Sequence, residues 1–329
     1  MKKLFISTLL CLMALSFLAH AQQTICGDVN GDGVINISDV NSIIDMILTG
    51  SQTSPEADVN YDNQVTIADV NLVINAILGG VLPDPPGTET FNVNGVKFKM
   101  ITVEGGTFTM GATKEQLRYA TSWEKPTHKV ILSDFALGQT EVTQELWLAV
   151  VGGPNPSYFS SRLNGCADDF QRPVEVVSWD DCQRFIAALN QLTGRQFHLP
   201  TEAQWEYAAR GGKNSKKYLY SGSNSIADVA WFDQNYGGTT HAVAMKQPNE
   251  LGLYDMSGNV WEWCQDWMDY YTSETQADPT GPESPSSHWF NATVVRGGSW
   301  HSDSTNCRVA YRYYYQNLKT NIIGFRLAL

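Results

Sequence analysis

Positive charge is missing from a long stretch of this chain. Residues 22–90 contain ten acidic residues and neither lysine nor arginine, and the 329-residue chain has a formal net charge of −12. A protein that binds nucleic acid needs a basic surface to displace the counterions of the phosphates. The charge pattern therefore excludes nucleic acid as the expected partner.

Long apolar runs are also missing beyond the N-terminus. None there approaches the roughly 20 residues that span a bilayer, so we expect no membrane-spanning segment. Residues 1–21 have the pattern of a secretory signal, with a basic start, an apolar run over residues 4–18 and a small-residue cleavage site at residues 19–21. We therefore expect an exported protein that is periplasmic, at the cell surface or extracellular.

Common catalytic patterns are absent as well. The histidines form no H-E-x-x-H or H-x-H pattern, and the sequence has neither a G-x-S-x-G elbow nor a phosphate-binding loop. Beyond residue 21 the cysteines are odd in number, so at least one thiol stays unpaired although an exported protein favours disulfides. They are Cys26, Cys166, Cys182, Cys264 and Cys307.

What the sequence does contain is a duplicated loop. Residues 28–39 read D-V-N-G-D-G-V-I-N-I-S-D, and residues 58–69 read D-V-N-Y-D-N-Q-V-T-I-A-D. A repeat at fixed offset indicates one structural unit used twice, and oxygen ligands at positions 1, 3, 5, 7, 9 and 12 wrap a calcium ion. The alternative is a solvated acidic tail with chance spacing, which two copies in register disfavour. The predicted ligands are Asp28, Asn30, Asp32, Val34 (carbonyl), Asn36 and Asp39, then Asp58, Asn60, Asp62, Gln64 (carbonyl), Thr66 and Asp69.

The duplicated loop and the segments that follow it resemble a type I dockerin, so residues 22–80 are expected to form a small all-α module of the EF-hand type. The resemblance implies a calcium-dependent fold and a cohesin-like scaffold or cell-surface partner, often in polysaccharide-degrading systems. The hydroxyl pair usual at loop positions 10 and 11 is replaced by Ile37-Ser38 and Ile67-Ala68. A spacer role is the alternative to docking. Residues 81–90 are proline-rich and are expected to be a linker.

The remaining residues, 91–329, predict an α+β domain with little regular secondary structure. Strands are expected at residues 96–103, 107–110, 129–132 and 135–137. Capping boxes at Ser178 and Thr201 begin two helices, of which the first ends at Gly194. The pattern places residues 182, 185, 186 and 189 of the first helix, and residues 205, 208 and 209 of the second, on buried faces. A third helix is expected at residues 144–151.

Several motifs in order resemble the formylglycine-generating, sulfatase-modifying-factor family, whose fold is related to C-type lectins. They are F-H-L-P-T-E-A-Q-W-E-Y-A-A-R-G-G at 197–212, G-L-Y-D-M-S-G-N-V-W-E-W-C-Q-D-W at 252–267, R-G-G-S-W at 296–300, C-R-V-A-Y-R at 307–312 and G-F-R-L at 324–327. The resemblance covers residues 98–329. It also implies a calcium site in this domain, with Asp255, the Gly258 and Val260 carbonyls and Glu262 as ligands. The alternative is that Asp255 and Glu262 pair with core arginines.

The family's copper chemistry depends on two cysteines, three and eight residues beyond the serine of R-G-G-S. Counted from Ser299, these positions are Ser302 and Cys307, so one thiolate is missing. A hydroxyl is a hard ligand that does not replace a thiolate on soft Cu(I), and we therefore expect no copper. Ser299 and Trp261 persist as family positions that would orient a substrate.

The lone thiol at Cys307 leaves two further interpretations. It could hold copper together with His301, or it could form a disulfide with Cys264, because both lie in motifs that converge in the family's core. Cys166 and Cys182 form a second candidate disulfide, with Cys26 left over.

The sequence hypothesis is an exported, calcium-dependent protein whose large domain is a binding or accessory unit for a peptide or glycan. Tyr311, Tyr313, Tyr314 and Tyr315, with Arg308 and Arg312, could line its groove, although packing explains the tyrosines equally well. A thiol oxidase that uses Cys307 and a structural surface component are the alternatives.

Overall fold

The structure, a computed structural model, describes residues 26–51, 54–80, 82–160 and 170–329. The predicted signal segment and Cys166 lie outside these ranges. The chain divides into two compact units between Pro83 and Asp84. Within the described ranges, no helix has both the length and the apolar character needed to cross a membrane.

The first unit consists of two loop–helix copies. Helix α1 spans Ile37–Thr49 and α2 spans Ile67–Ile77, with a short 3₁₀ helix at Pro55–Ala57. Each α-helix begins with a capping box, Asn36 with Asp39 and Thr66 with Asp69. Equivalent residues of the two copies share one core, which contains Val40, Ile43, Ala57, Val59, Val65, Val70 and Val73. The expected all-α repeat is therefore present.

The second unit contains three small sheets in the described residues. The first is antiparallel and has the order β1 (Thr88–Val93), β2 (Val96–Val103), β5 (Phe135–Gly138). The second has the order β3 (Gly106–Met110), β4 (His128–Leu132), β7 (Gln276–Ala277). Residues 88–90, which the sequence assigned to the linker, belong to β1 and pair with β2.

The third sheet contains most of the family motifs. Its order is β10 (Ile323–Gly324), β6 (Trp261–Trp267), β8 (Thr293–Arg296), β9 (Arg312–Tyr315). Strands β6, β8 and β9 are antiparallel neighbours, β10 is parallel to β6, and the register shifts between Trp263 and Trp267. Strand β9 is an edge strand among the described strands.

Four α-helices of the second unit are described. They are α3 (Gln144–Val151), α4 (Trp179–Thr193), α5 (Glu202–Ala209) and the single-turn α6 (Ile226–Val229). The predicted capping boxes at Ser178 and Thr201 and the predicted buried faces of α4 and α5 are confirmed. The expected α+β class with short strands and long loops is confirmed too.

Candidate functional site

The two loops of the first unit have matching hydrogen bonds. The Asp39 carboxylate accepts from the backbone amides of Val29, Asn30 and Asn36 at 2.8–3.1 Å. The Asp69 carboxylate accepts from the equivalent amides, those of Val59, Asn60 and Thr66, at 2.8–3.1 Å. Each position-12 aspartate therefore fixes its loop and begins the following helix.

The position-1 aspartates complete the loops. Asp28 accepts from the amides of Asp32 and Gly33, and Asp58 accepts from those of Asp62 and Asn63. Asn63 has φ 65°, so it replaces the glycine in the sharp turn.

Calcium fits the donor chemistry of these loops. No three side chains of the His, Cys, Asp or Glu type converge on one metal position within the described part of the chain. The predicted ligand sets instead mix carboxylate, amide, hydroxyl and main-chain carbonyl oxygens, which calcium accepts. A carboxylate also keeps acceptor capacity beyond the backbone amides that it binds.

Apolar side chains are exposed at equivalent positions of the two copies. Ile37 and Ile67, at loop position 10, are 63% and 64% exposed, and Leu48 and Leu78 are 78% and 81% exposed. Scattered single apolar residues need no explanation, but the same exposure at both copies gives the unit two similar apolar surfaces.

Buried arginine–glutamate pairs organise the second unit. Arg308 donates two hydrogen bonds to Glu124 at 2.8 and 2.9 Å, and Arg312 donates two to Glu202 at 2.7 and 2.5 Å. All four side chains are buried. Both guanidiniums are committed to core carboxylates, so neither is free to bind a ligand in the predicted groove beside the tyrosines.

Buried arginine–glutamate ion pairs also connect other family motifs. Arg296 pairs with Glu206, which also accepts from Arg210. Glu202 and Glu206 are four residues apart and lie on one face of α5, and both bind arginines from the C-terminal motifs. This helical spacing was a signal in the sequence that could have predicted the pairs.

The calcium position implied by the family resemblance fits only in part. Both oxygens of Glu262 accept from Arg326 at 2.6 Å, and Oε2 also accepts from Trp205 Nε1 at 2.7 Å. For Glu262 this is the ion pair that the alternative interpretation anticipated. Asp255 is different, because its Oδ2 accepts from the Ala244 amide at 2.7 Å while its buried Oδ1 has no partner among the described residues.

Glu141 is a second buried carboxylate of which one oxygen has no partner in the described residues. Glu141 Oε1 is buried without a partner in the described residues, while its Oε2 accepts from Asn259 Nδ2 at 3.3 Å. Burial, followed by the charges of Asp255 and Glu262, raises the pKa of Glu141 well above its usual value. Burial also raises the pKa of Asp255, to about 6. The sequence analysis did not identify Glu141, since it lies outside the motifs.

Ser302, at the first of the family's two copper positions, is hydrogen-bonded within its own loop. Ser299 Oγ and Ser302 Oγ lie 3.1 Å apart, and Ser302 Oγ accepts from the Ser299 amide at 3.0 Å. Cys307 is fully buried in a cluster with Tyr220 and Phe232. Burial, with the charge of Asp303 as the next cause, raises the pKa of the Cys307 thiol far above its usual value. A buried thiol of this kind is a poor nucleophile and a poor metal ligand.

The two interpretations that involved a partner for Cys307 gain no support. The His301 side chain is exposed and contacts Trp300 and Tyr236, whereas Cys307 lies beneath Gly298. Cys264 and Cys307 are both free thiols, so the predicted disulfide between them is wrong. Cys264 faces the core cluster that contains Trp289 and Val309, a different cluster from that of Cys307. Cys182 and Cys26 are free as well, and the Cys166 half of the second candidate bridge lies outside the described residues.

Trp261 contributes to an aromatic surface along edge strand β9. Its ring lies 6.0 Å from the ring of Tyr311 and 6.1 Å from that of Tyr313, and Tyr313 contacts Tyr315 at 5.4 Å. The three tyrosines are half-buried. Tyr314 packs against the core cluster that contains Trp289, whereas the other three tyrosines pack against a different core cluster. We define the aromatic surface as Tyr311, Tyr313 and Tyr315, with the buried Trp261 packed behind Tyr311 and Tyr313.

The short strands, long loops and buried arginine–glutamate pairs define an α+β domain of the sulfatase-modifying-factor type, joined to a duplicated loop–helix module. Residues 89–329 match the family described as "Sulfatase-modifying factor enzyme 1-like domain", and the chain belongs to this family. Residues 26–78 match the dockerin type I domain. Domains of this type bind calcium, have cohesin partners and are typically extracellular or at the cell surface.

Individual relatives carry varied names. The chain is 30% identical over 262 residues to "Chaperone protein LppX" of Paenibacillus barcinonensis, covering 64% of this chain and 82% of that protein. It is 29% identical over 290 residues to the formylglycine-generating enzyme of Streptomyces coelicolor, covering 69% and 88%. With "Serine/threonine-protein kinase pkn1" of Chlamydia pneumoniae it shares 32% identity over 70% of this chain but only 38% of that protein.

A solved structure supports the fold directly. Treponema denticola variable protein 1 superposes with a TM-score of 0.65 at 32% identity, covering 74% of this chain and 99% of that chain. The family membership and the fold of the second unit are thus shown together.

Proposed function

We propose that the large domain is a binding unit for a peptide or glycan and does not generate formylglycine. The observation that carries this proposal is the hydroxyl of Ser302 at the first copper position, whose Oγ accepts from the Ser299 amide at 3.0 Å and lies 3.1 Å from Ser299 Oγ. One hydroxyl and one buried thiol do not supply the paired thiolates that Cu(I) prefers. The domain then retains the family's fold without its redox centre.

The aromatic surface is the proposed contact for the ligand. Half-buried tyrosines offer rigid, amphipathic area at a low cost in side-chain entropy, which favours contacts with peptides and sugar rings. Trp261 supports Tyr311 and Tyr313 from below, so these rings are held in place before a ligand arrives.

The dockerin-type module is proposed to attach this domain to a cohesin-bearing partner, in an assembly such as those that degrade polysaccharides. The exposed Ile37 and Ile67 replace polar residues at loop position 10, so the contact is expected to be apolar there. The predicted oxygen ligands of the two loops would hold the calcium ions that order this module.

For the large domain we propose a calcium site that involves Asp255 and Glu141. Both carboxylates keep a buried oxygen without a partner among the described residues. The Gly258 and Val260 carbonyls remain predicted ligands. Glu262 is better explained as the partner of Arg326, which already occupies both of its oxygens.

A combined peptide and glycan array tests the binding role. The exported protein, with calcium present, should show saturable binding that Tyr313→Ala weakens at least about tenfold, the loss expected for a central aromatic contact. Phe170→Ala removes an exposed aromatic ring outside the aromatic surface and should bind as the unmodified protein does. An array without hits would refute the binding role, and hits that both variants retain equally would place the contact elsewhere.

A further inference from the structure

A cavity of about 680 Å³ lies apart from the copper position. Its walls come from the ends of β3 and β6, from β4 and β7, from the beginning of α5, from the loops that follow β6 and β7, and from Arg312 at the start of β9. None of Ser299, Ser302 and Cys307 lines it. A cavity of this volume is within the range of small-ligand sites.

Buried charged groups form the base of this cavity. Asp266 and Glu202 line it and are 5% and 4% exposed. The Glu202 charge is already neutralised by Arg312 at 2.7 and 2.5 Å. Asp266 Oδ2 accepts from the Glu202 backbone amide at 2.8 Å, and no side chain of the described residues donates to the Asp266 carboxylate. A buried carboxylate that receives no side-chain hydrogen bond from the described residues, and whose nearest guanidinium is paired with Glu202, therefore lines this cavity.

The rim of the cavity adds further negative charge and aromatic surface. Asp269 and Glu283 line it, and within the described ranges neither they nor Asp266 form an ion pair. Tyr270, which is 53% exposed, lies beside them. Its ring is 5.0 Å from that of Trp289. The only guanidinium in the lining is Arg312, which Glu202 occupies.

We propose that this cavity binds a primary ammonium group, specifically that of a lysine side chain presented by a peptide. A buried carboxylate to which no side chain of the described residues donates favours a cation, and the hydrogen bond between them is stronger because it is charge-assisted. Met110 and Tyr271 provide apolar wall along which an aliphatic stem packs while its ammonium group reaches Asp266. This site stands independently of the aromatic surface and would exist even if that surface bound nothing.

Calorimetric titration of the calcium-loaded protein at low salt and at pH 8, where the Asp266 carboxyl with its pKa of about 7 is ionised, tests the proposal. The probe is Nα-acetyl-lysine-N-methylamide, and the norleucine analogue serves as its uncharged match. The lysine analogue should bind at least about tenfold more tightly than the norleucine analogue, as a charge-assisted hydrogen bond in a cavity implies. Equal affinity for the two, or no binding of the lysine analogue at millimolar concentration, overturns the proposal.

Variants locate the site within the protein. Asp266→Asn keeps an acceptor for the Glu202 amide but removes the charge, and it should weaken lysine-analogue binding about tenfold. Glu283→Gln at the exposed rim cannot disturb the core and should weaken binding about twofold to threefold through the lost long-range attraction. Glu274→Gln, an exposed acid outside the cavity lining, is the matched control and should bind normally.

The pattern across variants decides the outcome. If Asp266→Asn and Glu283→Gln both bind as well as Glu274→Gln does, the ammonium lies elsewhere and the proposal fails. If Asp266→Asn does not fold, the rim variant alone decides. Stronger binding of glucosamine or of the arginine analogue than of the lysine analogue would overturn the assignment to a lysine side chain.

Discussion

Ser302 Oγ accepts a hydrogen bond from the backbone amide of Ser299 at 3.0 Å and lies 3.1 Å from Ser299 Oγ. The position that holds a copper-binding thiolate in the enzymes of this family is thus a hydroxyl satisfied by its own loop. The neighbouring thiol, Cys307, is buried with a raised pKa. These features together predict a domain without Cu(I) affinity at this site.

The first prediction is that Ser302→Cys creates a copper site that the natural chain lacks. In anaerobic competition with a chromophoric Cu(I) chelator, the unmodified protein should withdraw no copper, and Ser302→Cys should withdraw one equivalent, because two thiolates favour Cu(I). Ser302→Ala is the matched control that adds no thiol. One equivalent bound by the unmodified protein and lost in Cys307→Ala would contradict the proposed function.

The second prediction concerns calcium and the first unit. Calcium chelation should lower the thermal stability of this unit, because ligand binding to the folded state adds stability, about 2.7 kcal/mol at one hundred times Kd. Asp28→Asn and Asp58→Asn should each remove part of this effect, since each reduces the charge of one loop. Calorimetry of the full-length protein measures both effects.

Asp45→Asn is the control for these loop variants, because Asp45 is exposed in α1 outside the loop. It should show the full calcium effect. If chelation leaves the unfolding temperature unchanged, the loops do not bind calcium and the ligand assignment is wrong.

Residues with a local pattern were predictable from sequence, and those with distant partners were not. In each predicted capping box, the first residue, Ser178 or Thr201, lies three residues before its partner. The structure forms both capping boxes as expected. Arg308 and Glu124 are 184 residues apart, and their pairing depends on the tertiary fold. Arg308 was therefore assigned to a surface groove although it is fully buried.

The disulfide error has a similar origin. The motifs that contain Cys264 and Cys307 do converge in one domain, but convergence does not fix the direction in which each side chain points. Cys264 is on β6 and faces one core cluster, whereas Cys307 ends a 3₁₀ helix and packs against Gly298. Asp266 was overlooked for the same reason, because nothing in its local sequence indicates a cavity.

The third prediction separates the two roles considered for Glu262. Glu262→Gln should lower the free energy of unfolding by about 3–5 kcal/mol, because it leaves Arg326 buried without its counter-charge. Denaturant unfolding measures this loss, and the loss should be equal with and without a calcium chelator.

The matched control uses an exposed ion pair in the same unit. Glu104 and Lys213 have side chains that are 71% and 48% exposed, so Glu104→Gln should change stability little. A penalty for Glu262→Gln that appears only in calcium would instead indicate that Glu262 is a calcium ligand.

The fourth prediction is a pH effect from Asp266. Burial, reinforced by the charge of Glu202, raises the pKa of Asp266 to about 7 in the folded protein from its usual value of 3.8. Between these values the folded state holds a proton that the unfolded state has released, so the Asp266 contribution to stability falls as the pH rises. The contribution is fully present below about pH 4 and is lost by about pH 7, a change of up to about 4 kcal/mol at 1.36 kcal/mol per pH unit.

The Asp266→Asn variant lacks a carboxyl at this position, so it should not show the pH-dependent contribution of Asp266 to stability. The difference in unfolding free energy between the unmodified protein and Asp266→Asn should therefore decrease steadily from pH 4 to pH 7 and then level off, whatever other buried carboxylates contribute to both proteins. Urea unfolding in a series of buffers measures it, with Glu274→Gln expected to follow the unmodified protein at every pH. A difference that stays constant over this interval would show that Asp266 is already ionised at pH 4 in the folded state, and that the Asp266 side chain is better solvated than its burial indicates.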